Sequence, residues 1–440
     1  MTTDEIIEAM QFSLVSDRVM FTTTGRYTLT YQYEGYAEPV DYPSSSTFTG
    51  WTPLSTAERA AFEAQLAHIE TFLNVDFVEV TGSSDPDINV GKVTIPGNTI
   101  GYGGLSVRYT YGSGGQPDTI TSVDSFVVYD NTLDISADSR VSLILHELGH
   151  ALGMKHPFSA PALPTDQDTN KYTLMSYTVN PDTGTDADAM MIYDILALQD
   201  LWGAADYNEG NTTYSGGRAD TIDVIWDSGG KDTIDASGQS SGVRIDLNEG
   251  AFSNLSGRDD MAIAYGTVIE NATGGSGDDV ITGNAFINKL RGNNGNDSID
   301  GGGRKDSIWG GVGKDVLSGG AADDRLWGGS GRDRLRGDNG DDLLRGGGAR
   351  DRIEGGRGDD MMYGNAGNDV FIYRSGHGAD VIADFSAGSD AVRFFRLGDT
   401  ASVLSAASDV NGDVLFDFGG GNSLTVQGVT LAQITDDILA

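Results

Sequence analysis

The sequence predicts an α+β domain followed by an all-β parallel roll and a β-rich cap. Three observations carry this. Up to about residue 205, apolar residues fall at helical and strand spacings in turn; from Gly274 a nine-residue unit recurs; after Ile372 strand-type patterning returns.

In the first part, Tyr27-Thr28-Leu29-Thr30-Tyr31 alternates as a strand does. Ser55-Thr56-Ala57-Glu58 is a capping box, and Phe62, Leu66, Ile69 and Leu73 then share one helical face. Phe77 to Val80, Ile88 to Val90 and Phe126 to Tyr129 are short strand candidates. A second helix is expected over Val141 to Leu152, ended by Gly153, and a third from about Ala187 to Leu201, with Gly203 past its end.

The repeat block is stricter. Residues 274–372 hold eleven consecutive units of the form Gly-Gly-x-Gly-x-Asp-x-apolar-x. The sixth position carries Asp279, Asp297, Asp306, Asp315, Asp324, Asp333, Asp342, Asp351, Asp360 and Asp369, interrupted once by Asn288. The eighth is always apolar, from Ile281 to Phe371. A disordered acidic linker has no use for such a period, so the block reads as a solenoid with a thin apolar core. Asp413 to Phe418 and Ser423 to Val426 are strands of the cap. The boundaries are therefore an N-terminal segment at 1–25, an α+β domain at 26–205, a linker at 206–273, the roll at 274–372 and the cap at 373–440.

Composition limits what such a chain does. Its 440 residues include 65 Asp or Glu against 28 Lys or Arg, a net charge of −37. Nucleic acid and anionic membrane surfaces need clustered cations and are disfavoured. The natural partners of so much carboxylate are cations. There is no cysteine, which excludes disulfides and thiolate metal sites. No run of ~18 apolar residues spans a membrane. Met1 to Val15 opens with acids and does not read as a secretory signal peptide.

Three of the five histidines lie in His146-Glu147-Leu148-Gly149-His150-Ala151-Leu152-Gly153-Met154-Lys155-His156. His146 and His150, four apart on a helix, project from one face and suit two ligands of a tetrahedral zinc ion. Gly153 permits the turn that swings His156 back as a third. A fourth position stays open for water, and Glu147 is placed to act as its general base.

This pattern is the metzincin signature, and the chain resembles the serralysin branch of that clan (peptidase family M10B). Thr173-Leu174-Met175-Ser176-Tyr177 is similar to its Met-turn, which implies Met175 beneath the zinc and Tyr177 as a further ligand that swings away to stabilise the oxyanion. Asp194 to Ala204 is similar to the helix that ends the catalytic domain, and Val268 to Ala272 to the lead into the repeats. The loop between His156 and Met175 is shorter than is typical, the repeat block is longer, and the N-terminal segment, propeptide-like in position, does not clearly match a known propeptide over its first 20 residues. The resemblance implies a metzincin-like catalytic domain at 26–205 and a secreted zinc endopeptidase (EC 3.4.24). Phe126 to Tyr129 is then either an edge strand along which substrate lies extended or an interior strand.

The nonapeptides resemble RTX repeats, whose glycines bring backbone carbonyls inward and whose aspartates add charged oxygens, the ligand set that structural calcium requires. Units with Arg304, Ala322 or Ala349 at position four are expected to bind calcium less well. Asp227-Ser228-Gly229-Gly230-Lys231-Asp232 is similar to a serralysin segment that holds calcium through Asp227, the Gly229 carbonyl and Asp232; a plain Asp-Gly turn is the alternative. Arg332, Arg334 and Arg336 are either rungs of salt-bridge ladders or solvated surface.

Without calcium, packed aspartates repel and the repeats stay unfolded. RTX proteins leave Gram-negative cells in that state through a one-step channel, directed by a C-terminal signal, and Asp436-Asp437-Ile438-Leu439-Ala440 is similar to their ends. The resemblance thus implies a secreted monomer that meets type I secretion machinery, protein substrates and a proteinaceous inhibitor. A calcium-binding matrix protein with a vestigial peptidase domain is the competing reading, which the complete His-Glu-His-His set opposes. A pore-forming toxin would need a long apolar or amphipathic segment, which this sequence lacks.

Overall fold

The structure, a computed structural model, describes residues 1–12, 25–39, 48–83, 85–111, 117–216 and 221–439. Part of the N-terminal segment, residues 13–24, and the last residue of the tail lie outside these. The chain divides into two units, one built mainly of Met1–Glu209 and one mainly of Val268–Ala440.

The first unit opens with α1 (Thr3–Met10), whose N-terminus is closed by a reciprocal Thr2–Glu5 capping box. The helix buries Ile6, Ala9 and Met10. A central sheet follows from β1 (Tyr27–Tyr33), β2 (Thr49–Thr52), β3 (Val75–Glu79), β4 (Ile88–Thr94), β5 (Gly101–Tyr111) and β6 (Pro117–Asp130), in spatial order β3-β1-β4-β6-β5 with β2 also on β4. Strands β3, β1, β4 and β6 run parallel, and β5 is antiparallel to β6. Phe126 to Tyr129 therefore belongs to an interior strand, and the edge is β5. Its short glycine-broken apolar pattern hid β5 from a periodicity reading.

Between β2 and β3 lies α2 (Thr56–Glu70), started by the predicted Ser55–Glu58 box and burying Phe62, Leu66 and Ile69. After β6 comes α3 (Val141–Ala151), the helix of the His-Glu-His pattern. The third predicted helix, α4 (Ile192–Trp202), begins five residues later than its periodicity suggested. Asp194 decides this: its Oδ2 accepts the Met191 N–H at 2.9 Å and caps the helix there. Gly203, at φ +79°, ends it.

In the second unit two parallel stacks of strands face each other, one of nine strands and one, including the cap, of twelve. Neighbours within each stack are 18 residues apart, so two nonapeptides make one turn: Ile299 pairs with Leu317, and Ile308 with Leu326. The eighth-position side chains from Ile281 to Phe371 are all buried. Parallel stacking starts ahead of the glycine repeats, where Thr233–Asp235 pairs with Asn271–Thr273, and continues after them into Ala379–Ile382 and Ala391–Phe395. The predicted cap strands form an antiparallel hairpin, Asp413–Gly419 and Asn422–Val426, whose second strand extends the twelve-stranded stack.

Candidate metal centre and carboxylate ladders

Helix α3 presents His146 and His150 together, and the turn at Gly153 (φ +112°) returns His156 to them. The Nε2 atoms of His146 and His150 each lie 3.2 Å from His156 Nε2. His146 Nδ1 donates to the Leu174 carbonyl at 3.1 Å and His150 Nδ1 to the Met154 carbonyl at 2.8 Å. Their Nε2 lone pairs are thereby turned inward. Burial holds all three rings neutral, with His150 pushed down to about 3, His156 to about 4 and His146 lowered. A tetrahedral zinc ion with bonds of about 2.0–2.1 Å sets its ligands roughly 3.3–3.4 Å apart. Three converging neutral acceptors at this spacing are a donor set that fits such an ion.

Glu147 is buried beside the triad, and burial raises its carboxyl to about 8 against a hydrogen bond from the Gly103 backbone. Edge strand β5 comes this close only because it carries glycine. A Cβ on Gly103 would stand 2.0 Å from the Glu147 carbonyl oxygen. Tyr177 is 70% exposed, its ring is stacked on His146 at 5.6 Å, and its hydroxyl is 2.7 Å from His156 Nε2. Met175 is fully buried, its sulfur 2.7 Å from where a Cβ on Gly149 would stand. A cavity of about 520 Å³ opens against Gly101, His146, Glu147, Leu174 and Tyr177.

The residues singled out on the sequence as zinc ligands, general base, oxyanion donor and Met-turn are thus brought together. Two neighbours escaped that reading. Phe158 stacks on His156 at 4.9 Å with ring planes 9° apart. Asp194, fully buried, accepts from Thr173 Oγ1 at 2.6 Å and from the Leu174 N–H at 2.7 Å, tying the Met175 turn to α4. Burial lifts its carboxyl to about 6. Such a link between distant segments leaves no local pattern.

In the second unit each repeat aspartate from Asp297 onward uses one oxygen on the preceding turn. Oδ1 of Asp297, Asp315, Asp333, Asp351 and Asp369 accepts the N–H of the aspartate 18 residues earlier, at 2.8–2.9 Å. A second ladder runs from Asn288 through Asp306, Asp324, Asp342 and Asp360. Oδ2 of every repeat aspartate from Asp297 to Asp369 is buried without a hydrogen-bond partner. Beside it the position-one glycine leaves a gap. A Cβ on Gly310 would stand 2.4 Å from Asp315 Oδ2 and 2.6 Å from the Gly328 carbonyl. Orphaned carboxylate oxygens beside backbone carbonyls fit a hard cation such as calcium. Burial, more than mutual repulsion, pushes these groups up: Asp306 and Asp342 to about 8, Asp297, Asp324 and Asp351 to about 7, Asp333 and Asp369 to about 6, with Asp279, Asp315 and Asp360 also raised.

Both ladders outrun the repeats. Asp380 accepts the Asp360 N–H and Asp390 the Asp369 N–H. Each keeps the Gly-x-Asp-x-apolar core, in Gly378 to Ile382 and Gly388 to Val392, but inserted residues break the nine-residue period. At the other end, Asp232 Oδ1 accepts the Thr212 N–H at 2.7 Å within the second unit. Gly229 belongs to the same unit, and Asp227 to the first.

A helix-borne histidine triad of the metallopeptidase kind, in one chain with a parallel roll of aspartate ladders, defines a two-part class. The chain belongs to the serralysin-type M10B metalloproteases: residues 206–426, half its length, match the family model described as Peptidase M10 serralysin C terminal. It is similar to serralysin from Photorhabdus laumondii (31% identical over 270 residues, 53% of this chain and 54% of that one) and to serralysin A from Dickeya chrysanthemi (35% over 258 residues, 53% and 54%). Metallopeptidase AprA from Pseudomonas marginalis is 32% identical over 314 residues, 60% of this chain and 61% of that one. The chain spans about half the length of the curated relatives it matches. No described helix is long and apolar enough to cross a membrane.

Proposed function

We propose that the protein is a secreted zinc endopeptidase with a metzincin-like catalytic domain at 26–205 and a calcium-stabilised roll at 274–372 between the linker and the cap. The observation that carries this is the triad of inward-turned neutral imidazoles with buried Glu147 at its side. His146, His150 and His156 would hold zinc, with Tyr177 as a further, movable ligand. When bound, zinc would polarise the scissile carbonyl and bring the pKa of a water to about 7. Glu147 takes a proton from the attacking water as the new C–O bond forms and the carbonyl π pair moves to oxygen, then hands that proton to the amine as the oxyanion collapses and the C–N bond breaks. The Tyr177 hydroxyl donates to the developing oxyanion. Substrate lies extended along edge strand β5, whose outer backbone groups offer the main-chain pairing of an added strand.

In the roll, the orphaned Oδ2 oxygens of Asp297 to Asp369, together with Asp279, would ligate calcium. Asp227, Gly229 and Asp232 would supply an earlier site. Calcium binding then supplies the folding free energy after export in the unfolded state through type I secretion machinery. The test is cleavage of an unfolded protein by the calcium-refolded chain, beside Glu147→Ala. Activity that the variant lacks and a zinc chelator blocks supports the reading. Equal silence from both, with zinc bound and the chain folded, points either to an N-terminal segment that blocks the cleft or to a calcium scaffold.

A further inference from the structure

The arginines left over by the peptidase and calcium readings are not scattered. On the nine-stranded stack, Val316, Arg334, Arg352 and Val370 stand in direct register on successive turns. Two residues before the first three of these come Lys314, Arg332 and Arg350, one turn apart from each other. These five cations and Arg393 line one groove of about 410 Å³, together with the buried Asp315, Asp333 and Asp351 and with Val316, Val370 and Leu439. All six are exposed, and among the described residues none lies within ion-pair distance of a carboxylate. Three other cations of the roll are paired: Lys305 with Asp323, Arg336 with Asp338, Arg374 with Glu354.

The equivalent position on the alternate half-turns has the opposite sign. There Lys305 is followed by Asp323, Asp341 and Asp359. These carboxylates are occupied by the next rung: Asp341 N–H donates to Asp323, Asp359 N–H to Asp341, and Ala379 N–H to Asp359. Backbone N–H groups satisfy an acidic edge in this way but offer nothing to a basic one. In a chain of net charge −37, six exposed cations without an ion pair, against three buried carboxylates in the same groove, are a local reversal of the overall field.

We propose that this groove binds an acidic polysaccharide, an extended sugar chain with one carboxylate or sulfate per ring. Adjacent rungs of a sheet are roughly 4.8 Å apart, which sets the interval at which the cations recur. One anion per sugar ring repeats at a comparable interval. Duplex DNA places a charge every ~1.7 Å along its axis, far denser than the groove. An extended acidic peptide puts same-face side chains two residues, or roughly 6.6 Å, apart and falls out of step. Val316, Val370 and Leu439 add the apolar wall that a sugar ring uses and a simple anion does not. Only the folded roll is needed, not peptidase activity.

The test uses the full calcium-loaded chain with fluorescent sulfated dextran oligosaccharides and galacturonate oligomers, neutral dextran and duplex DNA as probes. Binding of either anionic sugar but not neutral dextran, weakening steadily with salt, is expected. Arg334→Gln/Arg352→Gln should weaken it by about tenfold or more, whereas Arg325→Gln on the other stack should not. Unchanged calcium-dependent folding of both variants by circular dichroism shows that the loss is local. Equal binding by parent and double variant, equal binding of neutral dextran, or no binding to either sugar overturns the proposal. So does tighter binding of DNA, or self-association abolished by the double variant with no sugar bound, which would make a second copy the occupant.

Discussion

Gly101 of the edge strand and Glu147 of α3 approach so closely that a Cβ on the glycine would stand 2.8 Å from Glu147 Oε1. The general base is thus held from the side by a backbone without side chains. Gly101→Ala should push the carboxylate out of line and lower kcat, and a displacement near 1 Å costs about 10²-fold. Zinc content should be unchanged, since no histidine is touched. Steady-state kinetics with metal analysis decide the matter; loss of zinc in proportion to activity would refute the role given to the strand.

Tyr177→Phe keeps the ring that stacks on His146 but removes the hydroxyl at 2.7 Å from His156. An oxyanion donor is worth about 10²–10³ in kcat. We expect a fall of that order with KM little altered. Full activity in the variant would remove Tyr177 from the mechanism.

Asp194→Asn replaces an acceptor for three donors, Thr173 Oγ1 and the Leu174 and Met191 N–H groups, by an amide that turns N–H toward at least one of them. Leaving a buried donor unsatisfied costs about 1–3 kcal/mol. The first unit should melt earlier, and zinc should bind more weakly because Leu174, the partner of His146, loses its anchor. Thermal denaturation with and without zinc measures both.

Burial holds Asp333 at about 6 and Asp306 and Asp342 at about 8 in the folded roll, above the ~3.9 of an unfolded aspartate, and raises the other ladder carboxylates in the same direction. Their contribution to a calcium-free roll is therefore fully present below about pH 4 and lost as pH rises through 6 to 8. Between pH 5 and 8, the calcium-free chain should lose β structure on going upward, while calcium affinity rises as the ligands deprotonate. Circular dichroism across that range tests the sign, and a roll that unfolds instead on acidification from pH 8 to 5 contradicts it.

Ala322 and Ala349 occupy the fourth position at φ +80° and +77°, whereas Gly313 and Gly331 in the same place take +150° and +141°. A Cβ bars the second conformation and strains the first by roughly 1–2 kcal/mol. Ala322→Gly and Ala349→Gly should each stabilise the calcium-loaded roll by about 1 kcal/mol and lower the calcium needed for folding. Calcium titrations of folding compare them with the parent.

The sequence by itself determined whatever is local or periodic. Four-residue spacing of His146 and His150 places two imidazoles on one helical face in any fold. A period of nine with Asp at six and an apolar residue at eight leaves a solenoid as the only economical packing. Tertiary structure decided what depends on segments far apart in the chain. It made Phe126–Tyr129 interior and Gly101–Tyr111 the edge, because sheet order is set by which strands bury which faces and not by any one strand's pattern. It brought Asp194 to the Met175 turn and carried the ladders on to Asp380 and Asp390 through turns of irregular length. It also gathered Lys314, Arg332, Arg334, Arg350 and Arg352 into one groove, since a half-turn of nine residues sends alternate repeats to opposite stacks.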